Sequence, residues 1–173
     1  METKIKNLEE LGYNSFFESK INESNFKDFS PARVIAEYKE AYRVKNKDGE
    51  FLAKITGKQI FEASGRVDYP AVGDWVLVFL ADKEHAVIKS ILPRQTIIKR
   101  RFGDKNKSGE KSDIQIIATN IDVGFVIESV DRDYNLNRFE RYFSILEDGG
   151  VKGAIILNKI DLLREEDREN KLK

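Results

Sequence analysis

Ala154-Ile155-Ile156-Leu157-Asn158-Lys159-Ile160-Asp161 sets a short unbroken apolar run directly against a polar tetrad, and the fold of the second half of the chain turns on it. Four apolar residues without alternation suit a parallel strand buried on both faces. A matching run, Val123 to Ile127, lies upstream. Between the two, Leu136, Phe139, Phe143 and Leu146 recur at spacings of three, four and three, one face of a helix. Asn135 has the right chemistry for its N-cap and Gly149-Gly150 for its stop. Strand, helix and strand make a βαβ unit with parallel strands and a right-handed crossover. Leu162 to Lys173 reads as the opening of a charged helix, with no third strand behind it. Two strands and a helix and a half cannot cover a doubly wound sheet, so the expectation is a domain cut short.

The tetrad lies where ligands gather in open α/β sheets, at the carboxyl end of a strand. A carboxylate there accepts paired hydrogen bonds from the N1–H and 2-amino group of guanine, a donor pair adenine does not offer. Asp161 is therefore the candidate base reader. The aliphatic stem of Lys159 can lie along a purine face, and the Asn158 amide can tie neighbouring loops together, with Ile160 between them. The plainer alternative is a strand-to-helix turn with Asp161 as N-cap.

Upstream, the period is two. Val34, Ala36 and Tyr38 alternate with polar neighbours, as do Tyr42 and Val44, then Phe51, Ala53 and Ile55. Asn46-Lys47-Asp48-Gly49 is a hairpin turn signal, because Asp-Gly tolerates positive φ. Gly57 to Gly73 reads as a loop, Trp75 to Leu80 as a buried strand, Asp82-Lys83 as a turn and Ala86 to Ile91 as its antiparallel partner. Thr96 to Ile98 suggests a further short strand, followed by a polar loop to Ser112. About five short antiparallel strands point to a small closed barrel of the OB-fold type, since closure removes exposed edges. Before it, Leu8, Leu11, Phe16 and Phe17 suggest a short amphipathic helix interrupted at Gly12. The expected organisation is a helical segment over 1–30, a barrel over 31–118 and the start of an α/β domain over 119–173.

Thirty Lys+Arg balance thirty Asp+Glu, which argues against a generally polyanion-binding protein. The balance conceals a cluster. Arg94, Lys99, Arg100, Arg101, Lys105, Lys107 and Lys111 face only Asp104 and Glu110. Beside an OB-type barrel these seven are candidate RNA-binding residues, with Phe102 a candidate stacking side chain. A solvated basic loop is the alternative. With no cysteine there is no disulfide framework or thiolate metal site, and the lone His85 has no partner for one. Asp131, Asp133 and Glu128 read as capping and solvated groups, and Trp75 as a core residue. The longest apolar run, Trp75 to Ala81, is far short of the roughly 18 residues of a membrane helix. No secretory core precedes Glu10, so a cytoplasmic monomer with no membrane partner is expected.

Four stretches together resemble the ribosome small-subunit-dependent GTPase A family, also called RsgA or YjeQ. They are Val72-Gly73-Asp74-Trp75-Val76, Leu92-Pro93-Arg94, Ala118-Thr119-Asn120-Ile121-Asp122 and Asn158-Lys159-Ile160-Asp161-Leu162, in that order, with Leu11 to Phe17 near the start. The resemblance covers essentially the whole chain. It implies an N-terminal OB-fold and a circularly permuted P-loop-type GTPase domain whose guanine motif precedes its phosphate loop. A C-terminal zinc domain should follow. It implies action in late maturation of the small (30S) ribosomal subunit, with 16S rRNA and GTP as partners and magnesium as cofactor. The departure is length. No G-x-x-x-x-G-K-[ST] occurs in the 173 residues, so no residue here cradles phosphates, holds magnesium or serves as a catalytic group. The expectation is an N-terminal portion that does not hydrolyse GTP by itself. The rival expectation is a non-enzymatic RNA-binding barrel with a vestigial α/β segment.

Overall fold

The computed structural model describes residues 5–22, 29–102, 113–130 and 134–163. The chain divides into two compact units, Met1–Asn120 and Ile121–Lys173.

In the first unit, β1 (Ser30–Glu37), β2 (Tyr42–Asn46), β3 (Gly49–Ile55), β4 (Trp75–Leu80) and β5 (His85–Ile91) close into a barrel in the order β1-β2-β3-β5-β4. Four seams are antiparallel, but β3 pairs with β5 in parallel, Leu52 opposite His85 and Ile55 opposite Ile88. The expectation of a wholly antiparallel barrel is thereby corrected. Directions cannot alternate all the way round a ring with an odd number of strands, so one parallel seam is unavoidable. Alternate residues of each strand fill the interior, among them Val34, Val44, Phe51, Val76 and Ile88.

Strand β4 is buried on both faces, which explains its continuous apolar run. Val76 and Val78 point into the barrel, while Trp75 and Leu77 join Phe17 and Leu92 in a second cluster outside it. The N-terminal segment supplies that cover. A 3-10 turn at Leu8–Leu11 ends at Gly12 in the left-handed conformation, and α1 (Ser15–Asn22) follows. Tyr13 meets the Trp75 ring edge-on at 4.9 Å. Trp75 is a packing residue, as its neighbours in sequence imply.

Two stretches read as loop are ordered. Thr56 starts α2 (Gly57–Glu62) with a capping box: its Oγ1 accepts from Gln59 N–H at 3.3 Å, and Gln59 Oε1 accepts from Thr56 N–H at 2.9 Å. The short strand expected at Thr96 to Ile98 is β6 (Ile97–Phe102), which pairs with β7 (Asp113–Thr119) as a two-stranded ribbon separate from the barrel.

In the second unit, β8 (Val123–Ser129) and β9 (Lys152–Asn158) are parallel, as the two apolar runs predict. α3 (Leu136–Asp148) begins at Asn135, whose side chain accepts from Asn137 N–H at 3.0 Å. Phe139 and Leu146 are buried. The helix lies close on the strands because Gly124 and Gly153 leave room for Leu146 and Phe143, where a Cβ would collide. Among the described residues, one sheet face is covered in this way. Phe125 and Ile127 on β8 and Ile155 on β9 are more than half exposed.

Candidate functional site

Strand β9 ends at Asn158, whose carbonyl accepts from Val130 N–H at 3.1 Å. The next residue, Lys159, takes the left-handed conformation at φ 58, and its N–H donates to Asn158 Oδ1 at 2.9 Å. Such a backbone costs a non-glycine residue roughly 1–2 kcal/mol, and strain of this kind concentrates where side chains must be aimed. Ile160–Leu162 forms a single 3-10 turn and Leu163 is already extended. Asp161 therefore lies inside a turn capped by Lys159, which removes the helix N-cap alternative, and no helix starts at Leu162. The rest of that expected helix, 164–173, lies outside the described residues. Asn158, Lys159, Ile160 and Asp161 are all exposed, at the carboxyl end of a parallel strand.

Among the described residues of the basic segment, Arg94 does not share the exposure of Lys99 and Arg100. Arg94, expected to contact RNA, is committed to the interior. Its Nε and Nη2 donate to the two oxygens of Asp74 at 2.8 and 2.7 Å, and its remaining donors reach the carbonyls of Val67 (2.9 Å) and Tyr69 (3.0 Å). A guanidinium whose side chain is 12% exposed, paired to a carboxylate that is 0% exposed, is not available to a phosphate backbone. Lys99 and Arg100 do lie exposed on β6, which is a strand and not a loop, and Arg100 Nε donates to Gln115 Oε1 at 2.9 Å. The backbone of Arg101 pairs with Ile114. Lys105, Lys107 and Lys111 lie outside the described residues, as do Asp131 and Asp133. Glu128 is buried rather than solvated, 2.8 Å from Arg138 Nη1.

Sequence reasoning missed the group around Asp74. Its carboxylate also accepts from the Thr119 hydroxyl (2.6 Å) and Ala71 N–H (2.8 Å), so the end of β7 is bonded to the start of β4. Asn120, left-handed at φ 54, continues the link: its Nδ2 donates to Gly73 O (3.0 Å) and its Oδ1 accepts from Gln95 N–H (2.8 Å). The available signal was a lone carboxylate in the otherwise apolar Ala71 to Ala81. Also missed was a cleft of about 280 Å³ between the β1–β2 turn, the Arg66–Ala71 segment and β7, which Tyr38, Tyr42 and Tyr69 line. Burial first, and then Glu37, Tyr69 and Asp74, push the Tyr42 hydroxyl up to about 12. Among the described residues, no three His, Cys, Asp or Glu side chains gather as metal ligands, and the donors of a phosphate-loop magnesium site are not in this sequence.

Comparison with known proteins bears on both units. The sequence pattern described as RsgA GTPase matches residues 91–173. The small ribosomal subunit biogenesis GTPase RsgA of Opitutus terrae is 36% identical over 165 residues, covering 90% of this chain and 43% of that protein. Its namesake from Syntrophotalea carbinolica is 37% identical over 161 residues, covering 92% and 44%. The chain belongs to the RsgA GTPase family. It spans somewhat less than half the length of those RsgA proteins. The fold agrees: the crystal structure of YjeQ from Thermotoga maritima superposes with a TM-score of 0.62 at 18% identity, over 83% of this chain and 46% of that one. YloQ, described as a circularly permuted GTPase, superposes at 0.57 and 18% identity, over 86% and 47%. A barrel followed by a strand, helix and strand is thus the RsgA architecture over the region spanned.

Proposed function

We propose that this chain is the RNA-binding barrel and guanine-reading portion of a GTPase that acts in late maturation of the small ribosomal subunit. The observation that carries the proposal is the Asn158-Lys159-Ile160-Asp161 tetrad, exposed in a strained turn at the carboxyl end of β9. In this reading Asp161 accepts from guanine N1–H and the 2-amino group, Lys159 covers the purine face and Asn158 braces the turn. Magnesium and the triphosphate require residues beyond these 173, so the chain alone binds guanine nucleotide weakly and does not turn it over. The exposed Phe125, Ile127 and Ile155 support the same reading, because a doubly wound domain covers that face with further elements. Ribosomal RNA is the partner of the first unit, through Lys99, Arg100 and Arg101 on β6 and Lys105, Lys107 and Lys111 beyond it. A small-subunit RNA target fits both the barrel and the names of the RsgA relatives.

The test is co-sedimentation of the purified chain with small ribosomal subunits across a salt series, alongside a GTP hydrolysis assay. Salt-sensitive binding without turnover is expected. Turnover in the absence of ribosomes would remove the claim that catalysis needs further residues. Failure to bind subunits would remove the RNA assignment.

A further inference from the structure

The cleft on the first unit has the size and chemistry of a pocket for one nucleotide. Its volume of about 280 Å³ sits at the small end of ligand pockets, which begin near 300 Å³, too little for a peptide helix. Three of the six tyrosines of the chain line it. Tyr38 stands at its mouth, 52% exposed, on the turn that its own N–H fixes by donating to Ala41 O at 2.8 Å. Tyr69 and Ala71, which also line the cleft, are held by the buried pair, the Tyr69 carbonyl by Arg94 at 3.0 Å and Ala71 N–H by Asp74 at 2.8 Å. Aromatic walls on a fixed backbone are a prepared stacking platform, with little ordering left to be done on binding.

The polar groups narrow the occupant. Lys39 and Arg66 line the cleft and are exposed, and Arg100 approaches it through Gln115. Glu37 and the Gln115 amide offer acceptors and donors of the kind that read a base edge. The Tyr42 hydroxyl in the lining is protonated at neutral pH, as any tyrosine is, and adds a donor. An apolar ligand would leave these groups unpaired, and a bare phosphate would have no use for the rings. A flat, hydrogen-bonding ring attached to a phosphate satisfies both. Because RNA bases become accessible in this way only where they are unstacked, the source is a single-stranded stretch, a loop or a bulge.

We infer that the cleft between Tyr38 and Tyr69 takes one unstacked nucleotide of RNA, stacked on tyrosine with its phosphate toward Lys39 and Arg66. This rests on the RNA assignment of the first unit and adds a site to it. It also gives Arg94 a positioning role in place of the contact its charge suggests.

The test uses the whole 173-residue chain and a fluorescein-labelled single-stranded RNA dodecamer, titrated at several salt concentrations, with adenosine and uridine monophosphates as competitors. Tyr38→Ala should weaken binding by about 5- to 100-fold with an unchanged salt slope, and Tyr38→Trp should restore it. Arg66→Ala should lower the slope of log K against log salt by about 0.7, one phosphate contact on a single strand. Both tyrosine variants alter an exposed side chain and should unfold as the parent does. If the parent binds RNA while Tyr38→Ala and Tyr38→Trp bind equally well, the cleft is not the site, although the RNA assignment stands. If the parent binds no RNA, both fall. Monophosphates that bind as tightly per site as the dodecamer would make the cleft a pocket for a free nucleotide and overturn the RNA source.

Discussion

Arg94 grips Asp74 by two parallel bonds, Nε to Oδ1 at 2.8 Å and Nη2 to Oδ2 at 2.7 Å, across a boundary where both side chains are almost wholly out of water. With the Thr119 hydroxyl and Ala71 N–H, the carboxylate has four donors, which is what lets a charge sit in the interior. The pair joins three separate pieces of chain: the entry to β4, the approach to β6 and the end of β7.

Removing one partner leaves the other charged and buried. Arg94→Ala should therefore cost about 3–5 kcal/mol of stability, measured as a shift in urea midpoint, while Lys99→Ala should stay within about 0.5 kcal/mol. Arg94→Lys should recover little, because an ammonium cannot form the fork and still reach the Val67 and Tyr69 carbonyls. Equal midpoints for Arg94→Ala and Lys99→Ala would contradict the structural role.

Gly73 stands beside Asp74 at φ 95, with the Thr119 carbonyl so close that a Cβ would overlap it. Gly73→Ala thus meets both an unfavourable backbone and a backbone collision that no rotamer relieves. A loss of at least about 2 kcal/mol is expected. Gly65→Ala is the control, since a Cβ there meets nothing within 4 Å. Comparable unfolding of the two variants would show that the Thr119 approach is dispensable.

Tyr42 gives the first unit an alkaline limit. Its hydroxyl is raised from 10.0 to about 12 in the folded chain, so between these values the native state binds the proton more tightly than the unfolded state. The stabilisation is fully present below pH 10 and is lost as pH rises towards 12. Allowing for solvent at the cleft, the difference is roughly 1–2 kcal/mol. Tyr42→Phe should flatten the fall in stability over that window relative to the parent. Burial and then Glu18 also raise the Tyr13 hydroxyl, so tyrosinate absorbance should show delayed ionisation in the parent and one delayed group fewer in the variant.

Asp161 is exposed, so Asp161→Asn should leave stability within about 0.5 kcal/mol. In a longer protein that joins this chain to a phosphate loop, the same change exchanges an acceptor for a donor. Preference should move from guanine towards xanthine nucleotides, since xanthine carries a carbonyl where guanine carries its 2-amino group. Equilibrium binding of the two nucleotides measures this, and unchanged preference would show that Asp161 does not read the base.

What was legible in the sequence were the local periods. Val34, Tyr42 and Val44, and Phe51 and Ala53 fall at alternate positions because one face fills the barrel, although a register shift breaks the pattern at Ala36. Phe139, Phe143 and Leu146 repeat because one face covers two strands, while Leu136 at the helix start is exposed. Caps and turns with fixed chemistry, at Asn135 and at Asn46 to Gly49, were legible for the same reason. Pairings between distant segments left no such trace. The parallel seam of β3 with β5, and β7 as partner of β6, follow from where the chain returns. Arg94 was misread because sequence counts a charge but not its neighbour: the carboxylate that neutralises it lies one hairpin away. The position of the tetrad at a strand end was readable because its residues are contiguous, whereas the tyrosine cleft is assembled from three separated segments.

The closed ring also orders events in time. β1 has no second neighbour until β4 is available, because Arg33 must meet Trp75 and Ser30 must meet Val78. Until then its edge is open, and such long-range pairing is slow compared with the hairpin of β2 and β3. Yet every strand of the ring precedes Leu92 in the chain. A ribosome making this protein would release a barrel able to close before β8 and β9 had been translated. The barrel would then mature on the ribosome that synthesises it ahead of the β6–β7 ribbon that carries Lys99 and Arg100.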